Sequence, residues 1–262
     1  GVDEEGGTVS RLKTSGLDID TGVGTMQSIG ETADPAAAYA AGQEIAGNLH
    51  ALGFNLDFAP VTDVSSGKNA AIGSRSFGTD PELCASMAGI ISNALTDGGV
   101  IPCLKHFPGY GGTADTHTGQ AVDERPLSAF QSCDLLPFEA GIDEGAQAVL
   151  VSHNIVTCMD TEYPASLSPA VHELLRGTLG FTGVVMTDDL AMNAVTDFTG
   201  AENAAVLAVK AGNDMMISSD FVIQRSAVLD AVQNGTLEKS DIEQAAERVI
   251  LWKIQLGLIP CD

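Results

Sequence analysis

A chain of 262 residues, 44% of them hydrophobic, can bury a full core, and α/β barrels of about this length commonly form one domain. Its net charge of −23 would repel nucleic acid and anionic membranes, so we expect a neutral or cationic ligand and no nucleic-acid partner. No run approaches the roughly 20 apolar residues of a membrane span, so no such span is expected.

The five cysteines lie far apart and have neither the CxxC nor the mixed Cys/His spacing of zinc ligands. We therefore expect no metal site, no other cofactor and no dense disulfide framework. The cysteines are interpreted as buried thiols: Cys84, Cys103, Cys133, Cys158 and Cys261. The start at Gly1 resembles neither an initiator Met nor a signal peptide and looks processed or truncated, so localisation stays open between cytoplasm and cell surface. The oligomeric state is equally open.

Apolar runs rich in β-forming residues alternate with longer helical patterns, which is typical of repeated βα units and a parallel sheet. Strands are predicted at 54–59, 100–105, 148–152, 184–187 and 214–218, after a stub at Gly1 and Val2. Helices are predicted at about 35–52, 80–98, 128–144, 168–180, 200–212, 220–234 and 239–256. Three of them begin with an N-cap residue followed by Pro, namely Asp34-Pro35, Asp80-Pro81 and Ser168-Pro169.

This alternation predicts an α/β fold of the TIM type, a (β/α)8 barrel, as one catalytic domain over residues 1–262. A closed barrel needs eight strands, and five strands with a stub suggest that the first one or two βα units are absent from the sequence. An open, doubly wound sheet is the alternative. Its phosphate-binding fingerprint is not found, because Gly22-Val23-Gly24 lacks both the third glycine and a helix at the right spacing.

Polar side chains follow the carboxyl end of every predicted strand. They are Asp3, Glu4, Glu5, Asp63, Arg75, Lys105, His106, His153, Asn154, Asp188, Asp189, Ser218, Ser219 and Asp220. Because the loops after the strands build the active site of an α/β barrel, this convergence predicts a polar substrate pocket. Any single one of these residues could instead cap a helix or satisfy backbone at a strand end.

Asp188 is the strongest single candidate, because two carboxylates follow the buried apolar strand 184–187. A carboxylate there can attack an electrophilic carbon and form a covalent intermediate, or it can hold a divalent metal. The metal reading is weaker, since no His lies at ligand spacing. Asp189 is expected to cap a helix that begins at Leu190.

A glycine-rich loop after the strand at 100–105 carries Asp115 and His117. An Asp beside a His fixes the tautomer and raises the pKa of the imidazole, which then can donate a proton near neutral pH. The alternative is a surface loop with incidental charges. Lys105 could donate to substrate hydroxyls, whereas His106 and His153 are either binding residues or hydrogen-bonded core residues.

Together these motifs resemble glycoside hydrolase family 3, and specifically its bacterial β-N-acetylglucosaminidases that act on peptidoglycan fragments. The resemblance runs through most of the chain, over Val2-Asp3-Glu4-Glu5-Gly6-Gly7, Phe58-Ala59-Pro60-Val61 with Asp63, Ile72-Gly73-Ser74-Arg75-Ser76-Phe77, Lys105-His106-Phe107-Pro108-Gly109, Asp115-Thr116-His117 and Gly183-Val184-Val185-Met186-Thr187-Asp188-Asp189-Leu190. Departures are mild: Glu4 replaces a common Gln, Tyr110 a frequent His and Thr187 a usual Ser.

The resemblance implies a retaining exo-enzyme that removes terminal β-linked N-acetylhexosamine from peptidoglycan fragments or related glycans without a cofactor. In this reading Asp188 is the nucleophile that forms the glycosyl-enzyme, and His117, assisted by Asp115, is the general acid/base. The implied substrate-binding residues are Asp3, Arg11, Arg75, Lys105, His106 and His153.

Other functions stay open. A non-catalytic glycan-binding barrel fragment would keep the same polar face, and substrate-assisted hydrolysis could use Asp3 and Glu4. A family 3 β-glucosidase or a phosphorylase is a further alternative, because a neutral His117 would repel phosphate less than a Glu would. The natural aglycone is not predicted.

Overall fold

The structure is a computed structural model that describes residues 1–17, 19–67, 72–110, 121–199 and 201–260. The chain divides into two compact units. The first comprises Gly1–Gly112 and Ser128–Ala148, and the second comprises Thr113–Leu127 and Val149–Asp262. Both are α/β in character, with short parallel strand pairings and helices around them, so the α/β prediction is confirmed.

The first unit combines an antiparallel hairpin with a parallel strand pair. The hairpin joins β1 (Glu4–Gly6) to β2 (Val9–Ser10), and β3 (Leu56–Asp57) runs parallel to β4 (Ile101–Phe107). A parallel bridge from Val2 to Asp57 places the segment before β1 beside β3. The helices are α1 (Arg11–Thr14), α2 (Met26–Thr32), α3 (Pro35–Ala51), α4 (Pro81–Asp97), α5 (Leu127–Ala129) and, after a π-helical turn at Phe130–Asp134, α6 (Leu135–Asp143).

Local sequence explains where the two longest helices of this unit begin. Asp34 accepts a hydrogen bond from the backbone N–H of Ala36 at 2.9 Å, and Asp80 accepts one from that of Glu82 at 3.0 Å. In both helices Pro occupies the first turn, where its missing N–H has no partner to lose. The two helices then pack on each other through a buried apolar stripe that includes Ile45, Leu49, Ile91 and Leu95.

The second unit has its own strand pairs. The strand β5 (Val122–Asp123) runs parallel to β7 (Ile155–Val156), and β6 (Ala148–Val151) neighbours β8 (Val184–Thr187). The helices are α7 (Pro169–Glu173), continued by a π-helical turn at Leu174–Thr178, α8 (Asn193–Thr199), α9 (Ala201–Ala211), α10 (Phe221–Gln233) and α11 (Lys239–Gln255). The buried carboxylate of Asp214 forms ion pairs with the guanidinium groups of Arg176 and of Arg248 in α11.

Several sequence predictions need correction. The segment 214–218 pairs only through a bridge between Met215 and Met186, and the strand expected at 54–59 is two residues long. The hairpin β1–β2 and the helix α2 were not predicted. The helices expected at 128–144 and 168–180 each contain a π-helical turn.

The cysteines are only partly buried. Cys84 and Cys103 are buried thiols as expected, whereas Cys133 is half-buried and Cys158 is exposed, so the prediction is wrong for these two. Cys158 follows β7, in the turn after Val156, and is open to solvent there. Cys261 lies outside the described residues. Within the described ranges no helix is both long and apolar enough to cross a membrane.

Candidate active site

Asp3, Glu5, Arg75 and Lys105 form one charged cluster in the first unit. Lys105 Nζ lies 2.8 Å from Asp3 Oδ1 and 2.6 Å from Glu5 Oε1. Arg75 donates to both oxygens of Glu5, from Nε at 2.7 Å and from Nη2 at 2.8 Å. The structure therefore brings together three predicted binding residues, Asp3, Arg75 and Lys105, around a carboxylate outside the predicted set, Glu5.

Glu5 and Lys105 of this cluster keep their charges at neutral pH. Burial would raise the pKa of Glu5, but the charge of Lys105 and the hydrogen bond and charge of Arg75 outweigh it and lower that pKa to about 2. Burial would lower the pKa of Lys105, yet Glu5 and Asp3 raise it above its usual value. The side chain of Asp3 is 37% exposed, against 2% for Lys105. Asp3 is therefore the member that a ligand can reach.

A second carboxylate, Asp63, holds His106 from two sides. Its Oδ2 accepts the backbone N–H of His106 at 3.0 Å and lies 2.6 Å from the ring Nδ1. Its Oδ1 accepts the backbone N–H of Tyr110 at 2.6 Å. Because a carboxylate only accepts, Nδ1 of His106 carries the proton. Within the described residues Nε2 has no protein partner, so it is the nitrogen that could bind a ligand.

The chain around His106 is fixed by packing. All seven residues of β4 are buried, and Phe107 meets Phe138 of α6 edge to face at 5.1 Å. The Lys105–His106 and Phe107–Pro108 peptide bonds are cis. Gly109 has φ of +124°, and a Cβ there would lie 2.4 Å from Cβ of Asp134, so only glycine fits at this position.

Arg11 lies close to this cluster only through its backbone. Its N–H donates to the carbonyl oxygen of Asp3 at 3.4 Å, where α1 begins. The residue as a whole is exposed. Its role as a sugar-binding residue stays a prediction.

In the second unit, Asp188 is half-buried directly after β8. Its backbone N–H donates to the carbonyl oxygen of Val151 at 3.1 Å, and its Oδ1 accepts the N–H of Asp189 at 2.8 Å. Asp189 itself accepts from the N–H groups of Ala191 and Ser219 at 2.9 and 3.0 Å, and from the Ser219 hydroxyl. Hydrogen bonds to Val151 and to Ser219 therefore hold the loop that carries Asp188 in place.

Asp189 does not cap a helix, which corrects the prediction. The helix α8 begins at Asn193, and Asp189 closes a turn before it. Burial would raise the pKa of Asp189, but the hydrogen bonds from Ser219 and Ala191 lower it below its usual range. A permanently ionised Asp189 suits this fastening role.

His153 is buried, and both of its ring nitrogens have protein partners. Nε2 lies 3.1 Å from the carbonyl oxygen of Asp189, and Nδ1 lies 2.7 Å from Oγ of Ser166. A carbonyl only accepts, so Nε2 carries the proton and Ser166 donates to Nδ1. A sugar hydroxyl could bind His153 only by displacing one of these hydrogen bonds. The ring of His153 therefore serves to hold the backbone at Asp189.

Asp115 and His117 lie outside the described residues, so their predicted roles stay predictions. Glu5 and Asp63 were expected among the polar residues at strand ends, but neither was assigned a role in the site. Their contacts with Lys105, Arg75 and His106 were not foreseen from the sequence. Among the residues that the structure describes, no group of three or more His, Cys, Asp or Glu could hold a metal ion.

The fold and the site define an α/β domain with charged groups at the ends of its parallel strands. The chain belongs to glycosyl hydrolase family 3, because the model of the glycosyl hydrolase family 3 N-terminal domain matches residues 1–251.

Curated relatives include a β-hexosaminidase of Xanthomonas oryzae pv. oryzae, 40% identical over 82% of this chain and 65% of that protein. Another, from Stenotrophomonas maltophilia, is 38% identical over 90% of this chain and 71% of its own. The chain thus spans 65% of the length of the first of these relatives.

Solved structures agree with this membership. A family 3 β-N-acetylglucosaminidase from Paenibacillus sp. str. FPU-7 has a TM-score of 0.90 and 34% identity, and covers 99% of this chain and 50% of its own. A β-N-acetylhexosaminidase from Beutenbergia cavernae has a TM-score of 0.85 and 32% identity over 96% of this chain and 77% of its own.

Proposed function

We propose that this chain is the catalytic domain of a retaining exo-β-N-acetylglucosaminidase that releases terminal β-linked N-acetylhexosamine from peptidoglycan fragments or related glycans. Relatives named β-hexosaminidase at about 40% identity support the sugar class. The observation that carries the proposal is the charged cluster around Lys105. In it, ion pairs with buried, charged residues hold the partly exposed carboxylate of Asp3 in place, where a ligand can reach it.

We further propose a single TIM-type barrel for residues 1–262. Support comes from the parallel pairing of β3 with β4 and of β8 with Met215, with helices between successive strands. A barrel of this type gathers its catalytic residues from the carboxyl ends of the strands and the loops that follow them. Lys105 and His106 lie near the carboxyl end of β4, and Asp188 directly follows β8.

Sugar recognition would rest on groups that are already oriented. Oδ1 of Asp3 is engaged by Lys105, whereas Oδ2 has no partner among the described residues and can accept a hydroxyl. Nε2 of His106 has no partner among the described residues and is a second polar contact for a hydroxyl, since Asp63 occupies Nδ1. Arg11 and Arg75 would add donors near the same hydroxyls.

In the proposed chemistry, the Asp188 carboxylate attacks the anomeric carbon while His117 donates its proton to the leaving oxygen. The products of this step are the free aglycone and a glycosyl-aspartate. His117, held by Asp115, then removes a proton from water, whose oxygen attacks the same carbon and releases Asp188. The double displacement retains the β configuration.

The test is cleavage of a chromogenic β-N-acetylglucosaminide by the wild type and by Asp188→Ala. We expect the variant to lose activity by about three orders of magnitude or more with an unchanged melting temperature. Asp197→Ala, which removes an exposed carboxylate of α8, is the matched control and should stay active.

Three outcomes would contradict parts of the proposal. Full activity of Asp188→Ala would remove the nucleophile assignment, and sugar 1-phosphate formed in phosphate buffer would make the enzyme a phosphorylase. A folded wild type that binds N-acetylglucosamine oligomers without cleaving them would be a glycan-binding domain. Trapping with a fluorinated sugar should label the peptide that contains Asp188, and absence of a label would favour substrate assistance.

A further inference from the structure

Glu4 points away from the charged cluster to which its neighbours belong. Successive side chains of a strand alternate between faces, so Asp3 and Glu5 meet Lys105 while Glu4 faces the other way. There its Oε2 accepts the N–H of Leu12 at 3.1 Å, and its own backbone N–H donates to Oδ1 of Asp57 at 2.9 Å. Glu4 thus joins β1 to β3 and to α1.

Each of these two acids has one buried oxygen without a partner. Within the described residues, neither Glu4 Oε1 nor Asp57 Oδ2 forms a hydrogen bond, and both side chains are completely buried. Both residues line the same narrow cavity, which leaves no room for a water molecule. Glu5 also lines this cavity, and apolar residues make up the rest of its wall: Met26, Ile45, Ala59, Pro60, Val61, Ile91 and Leu95.

Nearby charges do not compensate for two ionised carboxylates at this place. Asp3 and Glu5 on the same strand add negative charge, and Lys105 of β4 is bound to those two. The charge of Lys105 reaches Asp57 only from this position, where two carboxylates already neutralise it. An ionised carboxylate that is buried with an unpartnered oxygen is strongly unfavourable, and such groups take up a proton instead.

We propose that Glu4 and Asp57 keep one proton between them at neutral pH and that this proton positions β1, the strand that presents Asp3 and Glu5. A protonated oxygen is a donor, so it removes one charge and supplies a hydrogen bond in a cavity that has no other donor to offer. Glu4 and Asp57 are therefore positioning residues. The retained proton stands without the proposed function, whereas its effect on substrate rests on that function.

The pKa of Asp57 agrees with this arrangement. Burial raises it well above its usual range, and the charges of Asp3 and Glu4 add to the rise, against the N–H of Glu4 and the charge of Lys105. An Asp in the unfolded chain releases its proton near pH 4. Stability from the retained proton is therefore complete below about pH 4 and is lost as pH rises through the folded pKa.

The first test follows unfolding by urea from pH 5 to pH 9 in the wild type, Glu4→Gln and Asp57→Asn, with Glu44→Gln as the control at an exposed position of α3. An amide can donate without a proton from solvent, so both variants should lose the pH dependence. As pH increases toward the folded pKa, the unfolding constant of the wild type, divided by that of either variant, should increase by up to about tenfold per pH unit. A slope shared by wild type and both variants would overturn the proposal.

The second test needs no variant to fold. The infrared spectrum of the wild type at pH 7 should contain the C=O band of a protonated carboxylic acid, which ionised Asp and Glu lack, and its absence would overturn the proposal. The band should disappear in Glu4→Gln and Asp57→Asn but persist in Glu44→Gln.

The positioning claim is tested with the chromogenic β-N-acetylglucosaminide. KM of the wild type should rise more than kcat changes as the proton is lost at high pH, and Glu4→Gln should abolish that rise. A wild type with no activity would contradict the proposed function, and the infrared band and the urea slopes would still decide on the proton. An active wild type whose KM follows the same pH profile as Glu4→Gln would overturn the positioning role.

Discussion

At the scale of single residues, the site depends on carboxylates that serve opposite purposes within one short strand. Glu5 is ionised and paired with Lys105 and Arg75, whereas Glu4 lies on the other face, without a cation, opposite Asp57. A single sequence run of acids therefore contains both an acid that is paired with cations and an acid that is buried without an ion pair among the described residues. The difference between them comes from the alternation of the strand and from what each face meets.

Glu5 should make the stability of the protein sensitive to acid. Its folded pKa of about 2 lies below its ordinary value of 4.5, so its contribution is present above pH 4.5 and is lost as pH falls toward 2. We expect Glu5→Gln to destabilise the fold by about 3 kcal/mol at neutral pH. Urea unfolding at pH 7 and pH 3 measures the difference.

The difference in unfolding free energy between the wild type and Glu5→Gln should narrow at pH 3, because the unfolded wild type takes up a proton on Glu5 there, whereas the folded wild type does so only near pH 2. Glu82→Gln, at an exposed position in the first turn of α4, serves as the control and should show almost no gap. A gap of equal size at both pH values would contradict the role assigned to the ion pair.

At the scale of elements, close packing of α3 on α4 depends on one of two glycines in α3. A Cβ on Gly42 would lie 2.6 Å from Cβ of Ala94, whereas one on Gly47 would meet nothing within 4 Å. Gly42→Ala should therefore destabilise by about 1–3 kcal/mol through overpacking. Gly47→Ala should stabilise by up to about 1 kcal/mol through helix propensity. Thermal unfolding of both variants measures the contrast, and stabilisation by Gly42→Ala would refute the packing.

Elements with strong local signals could be predicted from the sequence. The helices α3, α4 and α7 start at an N-cap followed by Pro, and β8 is a buried apolar run with the predicted bounds. The hairpin β1–β2 could not, because its residues are acidic and glycine-rich. The segment 214–218 is apolar like a strand, yet the N–H groups of Asp214 and Met215 both donate to the carbonyl oxygen of Val185, and regular pairing is limited to the bridge between Met215 and Met186.

The site could be predicted only in part, for a similar reason. Lys105 lies near the end of β4, and strand ends can be read from a pattern. Arg75 lies in a 3-10 turn and Asp3 precedes β1, and the family motifs point to both. The contacts of Glu5 and Asp63 span long distances in sequence, 70 residues from Glu5 to Arg75 and 43 from Asp63 to His106. The sequence could not show whether His153 binds a ligand or supports the fold, because its partners Ser166 and Asp189 come close to it only in the folded structure.

At the scale of the whole molecule, the net charge of −23 should act on substrate encounter. A glycan fragment that carries carboxylates is repelled by this field, while a neutral β-N-acetylglucosaminide is not. Raising ionic strength from about 0.01 M to about 0.15 M shortens the screening length from roughly 30 to 8 Å. We therefore expect kcat/KM for the anionic substrate to rise with salt.

The neutral chromogenic substrate is the control for that measurement, and its kcat/KM should change little over the same range. Equal responses of the two substrates would mean that salt acts on the protein and not on the encounter. A fall for the anionic substrate would indicate that local cations outweigh the overall charge.

The π-helical turn at Phe130–Asp134 sets the length of the chain between β5 and α6. A π-helical turn holds one residue more than an α-helical turn, so removing one residue would rewind the segment as ordinary α-helix and leave the residues after it on nearly the same faces. Leu135 and Phe138 of α6 would still be buried, and Phe138 would still meet Phe107. This stretch should therefore accept a single deletion that the regular turns of α6 would not, so one-residue gaps between relatives should fall within it.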